Sequence, residues 1–295
     1  MKGPPLQEPR LDPTTAQTDL AAAMSTAVMM FRGFEGWLLG FLLCLPRAYA
    51  FIAASQLLPP TAVPRLARTA SILVIALPIT PVVAPQAQTL IEGEVARLLL
   101  YFAKEFAIGF VMGFFVTWVF WAVQAAGAFI DNQRGAAIAA SIDPLQGHES
   151  SPLGLLFSQG FITYFFAVGG FTVIVGLLYN SFQIWPVTRM LPVFAEDFPA
   201  TIFALLDLGM RLMFIYAAPI IAVMFLAEFA LALVSRFAPQ VQVFILAMPI
   251  KSGIAVFLLI FYLPILMRQA LGEAGDLEAW MARLWSILEA GTGLR

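Results

Sequence analysis

The single histidine of this chain, His148, is followed by Glu149 and by the hydroxyls of Ser150 and Ser151, residue types from which zinc and hydrolase sites are built. Their spacing excludes the first and gives the second little footing. An HExxH zinc helix needs a second histidine at position 152, which is Pro152 here. A serine hydrolase using His148 with Ser150, Ser151 or Ser158 would lack the G-x-S-x-G elbow that presents such a nucleophile. No P-loop and no G-x-G-x-x-G occurs, so a nucleotide has no phosphate cradle. The one cysteine, Cys44, lies in an apolar run, where neither an intramolecular disulfide nor a cysteine metal site can form, and it reads as a packing residue. The expectation is a protein that is not an enzyme and carries no metal or cofactor.

What remains is the chemistry of charge in an apolar setting. The chain is 61% hydrophobic and 12% charged, against roughly 45–50% and about 25% in soluble domains, which makes it an integral membrane protein. Arg47, Lys104, Glu105, Asp207, Arg211, Glu228 and Lys251 nevertheless fall inside apolar blocks. Each would cost about 2.5–3.5 kcal/mol at a lipid-facing helix centre, and together roughly 20 kcal/mol. Some must therefore lie near interfaces, and the others must face protein or a water-filled space. Asp131 with Arg134, and Asp207 with Arg211, have the spacing to pair on one helix face. Two readings stand for each pair: mutual neutralisation at a helix end, or a functional contact. Glu228 and Lys251 have no local partner in the sequence, which points to contacts between subunits or to the lining of a conduit. The net charge of −2 and the lack of a long Lys/Arg block leave no surface for nucleic acid.

These residues must be positioned by helices. Apolar blocks run over 36–58, 70–90, 98–130, 153–182, 200–234 and 241–271, each long enough for the roughly 20 residues of a spanning helix. They are continuously apolar, without the alternation of a barrel strand. The fold class predicted is all-α, a polytopic membrane protein of about six long, kinked segments arranged as hairpins. Two blocks, 98–130 and 200–234, would extend about 50 Å against a hydrocarbon core of about 30 Å, so they either break or protrude. Pro46, Pro78, Pro81, Pro85, Pro219, Pro249 and Pro264 favour bends. Gly36/Gly40 and Gly109/Gly113 have GxxxG spacing, read either as close helix contacts or as chance in a glycine-rich chain. The chain divides into a polar N-terminal segment (1–35), a helical domain (36–271) and a tail (272–295). In the tail, Leu277, Trp280, Met281, Leu284, Ile287 and Leu288 form one face of an amphipathic helix, which would lie in the headgroup layer or dock on a partner. Met1 to Leu20 lacks the apolar core of a secretory signal, so targeting falls to the first membrane segment. Arg65, Arg68, Arg134 and Arg236 favour one side as cytoplasmic, but six other arginines oppose them, and charge bias sets no orientation.

The stretch FIDNQRGAAIAASIDPLQGHESSPLG, Phe129 to Gly154, places paired charges, glycines and prolines between long apolar segments. With its FIDNQRG opening, Asp143-Pro144 step and SPLG close, it resembles the T component of bacterial type III secretion export gates, the SctT family, whose flagellar relative is FliR. The later string SRFAPQVQVFILAMPIKSG, Ser235 to Gly253, is similar to a second signature of that family, in the same order and at similar separation. The FIDNQRG wording resembles the injectisome branch. The resemblance implies a non-enzymatic subunit of a protein-conducting hetero-oligomer in the bacterial inner membrane, a helical assembly standing partly out of the membrane plane. It implies R-type and S-type partners, a U-type switch protein, membrane lipid around the assembly, and unfolded secreted polypeptides as cargo. Carried onto this sequence, it marks Asp131, Gln133, Arg134, Gly135, Asp143, Pro144, Ser151, Pro152 and Gly154, then Ser235, Arg236, Pro239, Gln240, Pro249, Lys251 and Ser252. With Asp207, Arg211 and Glu228 these are the candidate interface or channel residues. Gly135 and Gly154 would permit tight turns, Asp143-Pro144 an extended connection, and Pro249 would open a helix beside Lys251. The alternative is an ion-coupled secondary transporter using unpaired Glu228 and Lys251 at membrane depth; no convincing inverted repeat supports it.

Overall fold

In the computed structural model the described residues are 13–60, 62–88, 90, 95–135, 151–189, 196, 198–237 and 243–290, and they are helical almost throughout. In chain order the helices are α1 (Pro13–Ala54), α2 (Arg65–Ala76), a 3-10 turn (Leu77–Ile79), α3 (Thr80–Gln88), α4 (Val95–Arg134), α5 (Pro152–Ala167), α6 (Gly170–Ile184), α7 (Phe198–Phe237), α8 (Val243–Gly275) and α9 (Leu277–Ala290). Five stretches are long and apolar enough to cross a membrane, six when the bent pair α5–α6 counts as one span. The all-α, polytopic expectation is met.

The long apolar blocks protrude rather than break. Both α4 and α7 are continuous over 40 residues, about 60 Å. Proline marks one interruption, the 3-10 turn holding Pro78 between α2 and α3, but α1 runs through Pro46, α3 through Pro85, α7 through Pro219, and α8 through Pro249 and Pro264. The sharpest bend, 79° between α5 and α6, has no proline and turns on Gly169 at φ +84°. A proline removes one hydrogen bond and still allows the helix to continue, whereas a left-handed residue reverses the local backbone and stops it.

Helix α4 is the centre of the bundle, with α1, α5, α7, α8 and α9 all packed on it. Between Phe106 and Ile130 it carries no charge, an uncharged length of about 38 Å that exceeds the hydrocarbon core. Its contact with α1 depends on missing side chains. A Cβ on Gly109 would overlap the Arg47 carbonyl, and one on Gly113 would lie 2.6 Å from the Phe51 carbonyl. This GxxxG pair is therefore a packing device, and Gly40 plays the same part against the Ala84 backbone. On the other side Phe120 packs against Phe161 and Phe165 of α5.

Burial divides the helices into two kinds. The apolar window of α4 is 61% buried and that of α7 only 22%, leaving Phe203, Phe214, Phe225, Leu226 and Phe229 exposed. On α1, residues 21–35 are exposed and burial begins at Gly36, although the helix itself is continuous from Pro13. The tail helix α9 does neither of the things expected of it. It buries Leu277, Met281, Leu284 and Trp285 against the chain's own helices, with Trp280 edge-on to Trp118 of α4. Its apolar stripe was legible, but the surface receiving it is assembled from α4, α6 and α7, distant in sequence, together with the adjoining α8.

Candidate functional site: polar clamps at the two ends of the central helix

At its C-terminal end α4 presents Asp131, a 2% exposed carboxylate that serves three donors at once. Oδ1 accepts from Arg134 Nε at 2.7 Å; Oδ2 accepts from the Leu153 amide at 2.8 Å and from the Ser151 hydroxyl. Ser151 in turn caps α5, its Oγ accepting the Gly154 amide at 2.9 Å, with Pro152 in the first turn where no amide is needed. Thus a carboxylate of one helix holds a free amide and the capping hydroxyl of another, favourably placed at the positive end of that helix. The Asp131/Arg134 pair is more than a neutralised helix end: it fastens together both sides of the first family-like motif. Gly135 follows at φ +87°, the left-handed conformation that glycine adopts without strain, which bears out the turn expected there. The role expected of Gly154 differs: it lies inside α5, and a Cβ there would press on Ser151 Oγ at 2.9 Å and on the Gln124 carbonyl at 3.1 Å.

The second motif arrives at the same place. Lys251 of α8 donates to the Gln133 carbonyl at 3.4 Å, and Met248 lies against Gly135. Lys251 Nζ also sits 2.9 Å from Glu228 Oε2 of α7. This corrects the expectation that Glu228 and Lys251 are unpartnered; they are partners of each other across the α7–α8 hairpin, which a local search of the sequence cannot reveal. Pro249 does not open its helix, and α8 continues through it. Asp143, Pro144, Pro239 and Gln240 lie outside the described residues. Ser235 donates to the Ala232 carbonyl within α7, Arg236 is exposed in its last turn, and Ser252 is half-buried on α8. Asp207 and Arg211 do pair, at 3.3 Å, but on an outward face where they are 77% and 63% exposed, far from the other candidates.

A second clamp lies some 26 residues back along α4, about 39 Å away. Arg47 of α1 and Glu105 of α4 are both fully buried and joined at 2.6 Å, and Lys104 Nζ is 2.7 Å from the other carboxylate oxygen. Two cations share one anion, and the surplus charge is directed at backbone carbonyls following α6. Arg47 donates to the Trp185 carbonyl at 3.0 Å and to Ser181 Oγ at 3.1 Å, with its guanidinium 4.0 Å from the Phe182 ring centre. Lys104 donates to the carbonyls of Val187 and Arg189 at 2.8 and 2.9 Å. The Val187 amide donates to Gln86 of α3 at 3.2 Å. Residues 185–189 are therefore held from α1, α3 and α4, at the negative end of α6 where cations are favoured. Sequence reasoning placed these three charges in apolar blocks but not among the candidates. Their only signal was cost, because residues 58 and 134 positions apart carry no local pattern.

Among the described residues no three His, Cys, Asp or Glu side chains gather as metal ligands. The arrangement holds helices together by buried polar contacts at both ends of an uncharged span.

Comparison with known proteins covers the same region. The profile of bacterial export proteins, family 1, matches residues 38–276. The Yop proteins translocation protein T of Yersinia pestis is 40% identical over 229 residues, 76% of this chain and 86% of that protein. The surface presentation of antigens protein SpaR of Salmonella typhimurium is 31% identical over 218 residues, 72% and 80% of the two chains. The flagellar biosynthetic protein FliR of Bacillus subtilis is 33% identical over 174 residues, 58% and 66%. The greater identity and coverage with the translocation protein agree with the injectisome-type wording of the first motif.

Proposed function

Because this chain belongs to the bacterial export proteins, family 1, we infer that it is a structural subunit of a type III secretion export gate, helping to form the channel through which unfolded proteins cross the inner membrane. The observation that carries this reading is the extent of the match, from the start of burial on α1 through the whole of α8, with both motifs inside it. The poorly buried apolar faces of α7 and α8 favour a chain packed among other membrane proteins. R-type and S-type subunits and a U-type switch protein are the partners that fit the family, with unfolded secreted polypeptides as cargo. The candidate residues act in this reading as the fastening between helices and the contact with those partners: Asp131, Gln133, Arg134, Gly135, Ser151, Gly154, Glu228 and Lys251 at one end of α4, and Asp207 and Arg211 on the outward face of α7. The helical domain of 36–271 is the gate subunit proper.

The carrier alternative is not favoured. Its substrate site was to be an unpaired Glu228 and Lys251, and these form an ion pair. The test is a detergent-solubilised affinity pull-down of the tagged chain, expressed from its native locus, followed by mass spectrometry. Recovery with R-, S- and U-type membrane partners is expected; recovery alone or as a homo-oligomer, under conditions that preserve complexes, overturns the reading.

A further inference from the structure

The outward surfaces of the bundle differ in kind. On α7 between Leu212 and Ala227 the exposed residues are Phe214, Ile215, Ala218, Pro219, Ala222, Val223, Phe225 and Leu226, with no polar side chain. The exposed positions of α8 from Val256 to Ile265 are likewise apolar. The bent pair α5–α6 is different. Its exposed positions include Gln159 and Thr163 beside Leu155 and Leu156 on α5, then Thr172, Asn180 and Gln183 beside Val173 on α6. With Gly176, the α6 residues are spaced by four, four and three, one face of a helix. Neither helix carries a charge.

The amides of Gln159, Asn180 and Gln183 and the hydroxyl of Thr172 have no hydrogen-bond partner among the described residues. Unsatisfied amides do not face hydrocarbon, so this face meets water or another polar surface. Its surroundings favour water. Gly176 and Asn180 open, between Val173, Leu177 and Ile184, onto a groove of about 380 Å³ whose far side is Met281, Trp285 and the exposed carboxylate of Glu278 on α9. A Cβ built on Gly176 meets nothing, in contrast to the crowded Gly109 and Gly113. An uncharged wall whose hydrogen-bonding groups interrupt the exposed Leu155, Leu156, Val168 and Val173 also suits a chain of arbitrary sequence, since it binds neither sign of charge and offers no continuous apolar hold.

We propose that the outward faces of α5 and α6, marked by Gln159, Thr163, Thr172, Asn180 and Gln183, are this subunit's water-facing wall of the export passage, along which the unfolded polypeptide moves. This deepens the reading of the chain as an export-gate subunit and rests on it. The test uses the full-length chain in secreting cells, in a Cys44→Ala background. Single cysteines replace each of the five polar residues or, for comparison, Phe214, Phe225, Phe257 and Phe261. Each variant is treated with a charged, membrane-impermeant thiol reagent, which reacts with the thiolate that forms only in water. In parallel, a photo-crosslinking amino acid at the same sites is irradiated while a secretion substrate fused to a tightly folded domain is stalled in transit. Labelling at the α5–α6 sites should be at least about tenfold faster than at the phenylalanine sites, and the stalled substrate should be captured there. Equal labelling at both sets overturns the proposal. So does fast labelling of α5–α6 with crosslinks only to neighbouring membrane subunits, which leaves the export reading standing. Normal secretion by cells lacking the chain overturns the export reading itself, and the proposal with it.

Discussion

Replacing Glu105 by glutamine is the sharpest perturbation that the clamp at the N-terminal end of α4 allows. The carboxylate sits between Arg47 and Lys104 at 2.6 and 2.7 Å, all three groups are buried, and the cluster as it stands carries one net positive charge. Glu105→Gln raises that to two with nearly unchanged shape. Arg47→Met lowers it to zero but removes more contacts: those to Glu105, Ser181, the Trp185 carbonyl and the Phe182 ring. Contact counting therefore ranks Arg47→Met as the worse lesion, and charge reasoning ranks Glu105→Gln as the worse. Removing one partner of a buried pair costs about 3–5 kcal/mol because the other charge is left uncompensated, whereas a lost buried hydrogen bond costs about 1–3 kcal/mol. For a chain of this size such a charge penalty corresponds to a fall of roughly 10 °C in melting temperature. The assay is thermal unfolding of the detergent-solubilised chain, comparing native, each single variant and the double. The expected order is Glu105→Gln below Arg47→Met, with the double recovering part of the Glu105→Gln loss because it restores a single buried cation. A Glu105→Gln protein as stable as native, or more stable than Arg47→Met, would refute the view that this cluster is governed by charge balance.

Asp131→Asn should loosen the join between α4 and α5, since a neutral amide is a weaker acceptor for the Leu153 amide and Ser151; the loss should be about 1–3 kcal/mol, read as faster tryptic cleavage at Arg134. Lys251→Met should lower secretion or gate assembly and leave membrane insertion and melting temperature close to native, because Glu228 is 48% exposed and so partly exposed a pair contributes under about 1 kcal/mol; unchanged secretion would count against a contact or passage role. Gly109→Leu should drive α1 from α4 by forcing a side chain into the Arg47 carbonyl, seen as loss of folded protein on size-exclusion chromatography, whereas Gly176→Leu should leave the elution profile unchanged. Leu284→Asp on α9 should destabilise the bundle itself by several kcal/mol, since Leu284 is fully buried against the chain's own helices; a native melting temperature for this variant would mean that α9 packs elsewhere.

The parts of this structure legible in sequence are those governed by local, periodic physics. Continuous hydrophobicity announced membrane helices, and the spacing of Asp131 from Arg134, of Asp207 from Arg211, and of Leu277 from Met281 and Leu284 set the faces on which they lie. The two polar clamps were not legible as arrangements. The pairing of Glu228 with Lys251 requires that α7 and α8 form a hairpin at one particular register, and the pairing of Arg47 with Glu105 requires α1 to lie along α4 at the depth where Gly109 meets the Arg47 carbonyl. Each depends on tertiary contacts that no periodicity encodes.

The cost of a charge in an apolar block nonetheless carried information that pattern did not. All but one of the charges in these blocks have an ion-pair partner in the described helices: Arg47 and Lys104 with Glu105, Asp207 with Arg211, Glu228 with Lys251, whereas Arg268 donates only to the Pro264 carbonyl of its own helix. Pairing alone does not separate structural from functional charge; exposure does. The Arg47–Glu105–Lys104 cluster is enclosed, and its two cations are turned to the carbonyls of Trp185, Val187 and Arg189, so its evident part is to position α6 and the segment after it. Asp207 and Arg211 are mostly exposed on a helix otherwise apolar on that side, and a pair so placed would be costly against lipid. By the same reasoning the amides of α5 and α6, which have no hydrogen-bond partner among the described residues, are outward groups poorly matched to lipid or to a dry helix interface. A membrane subunit whose outward surface has wholly apolar stretches on α7 and α8 and an uncharged, partly polar face on α5 and α6 has two environments to meet, and only one of them is lipid or a neighbouring helix.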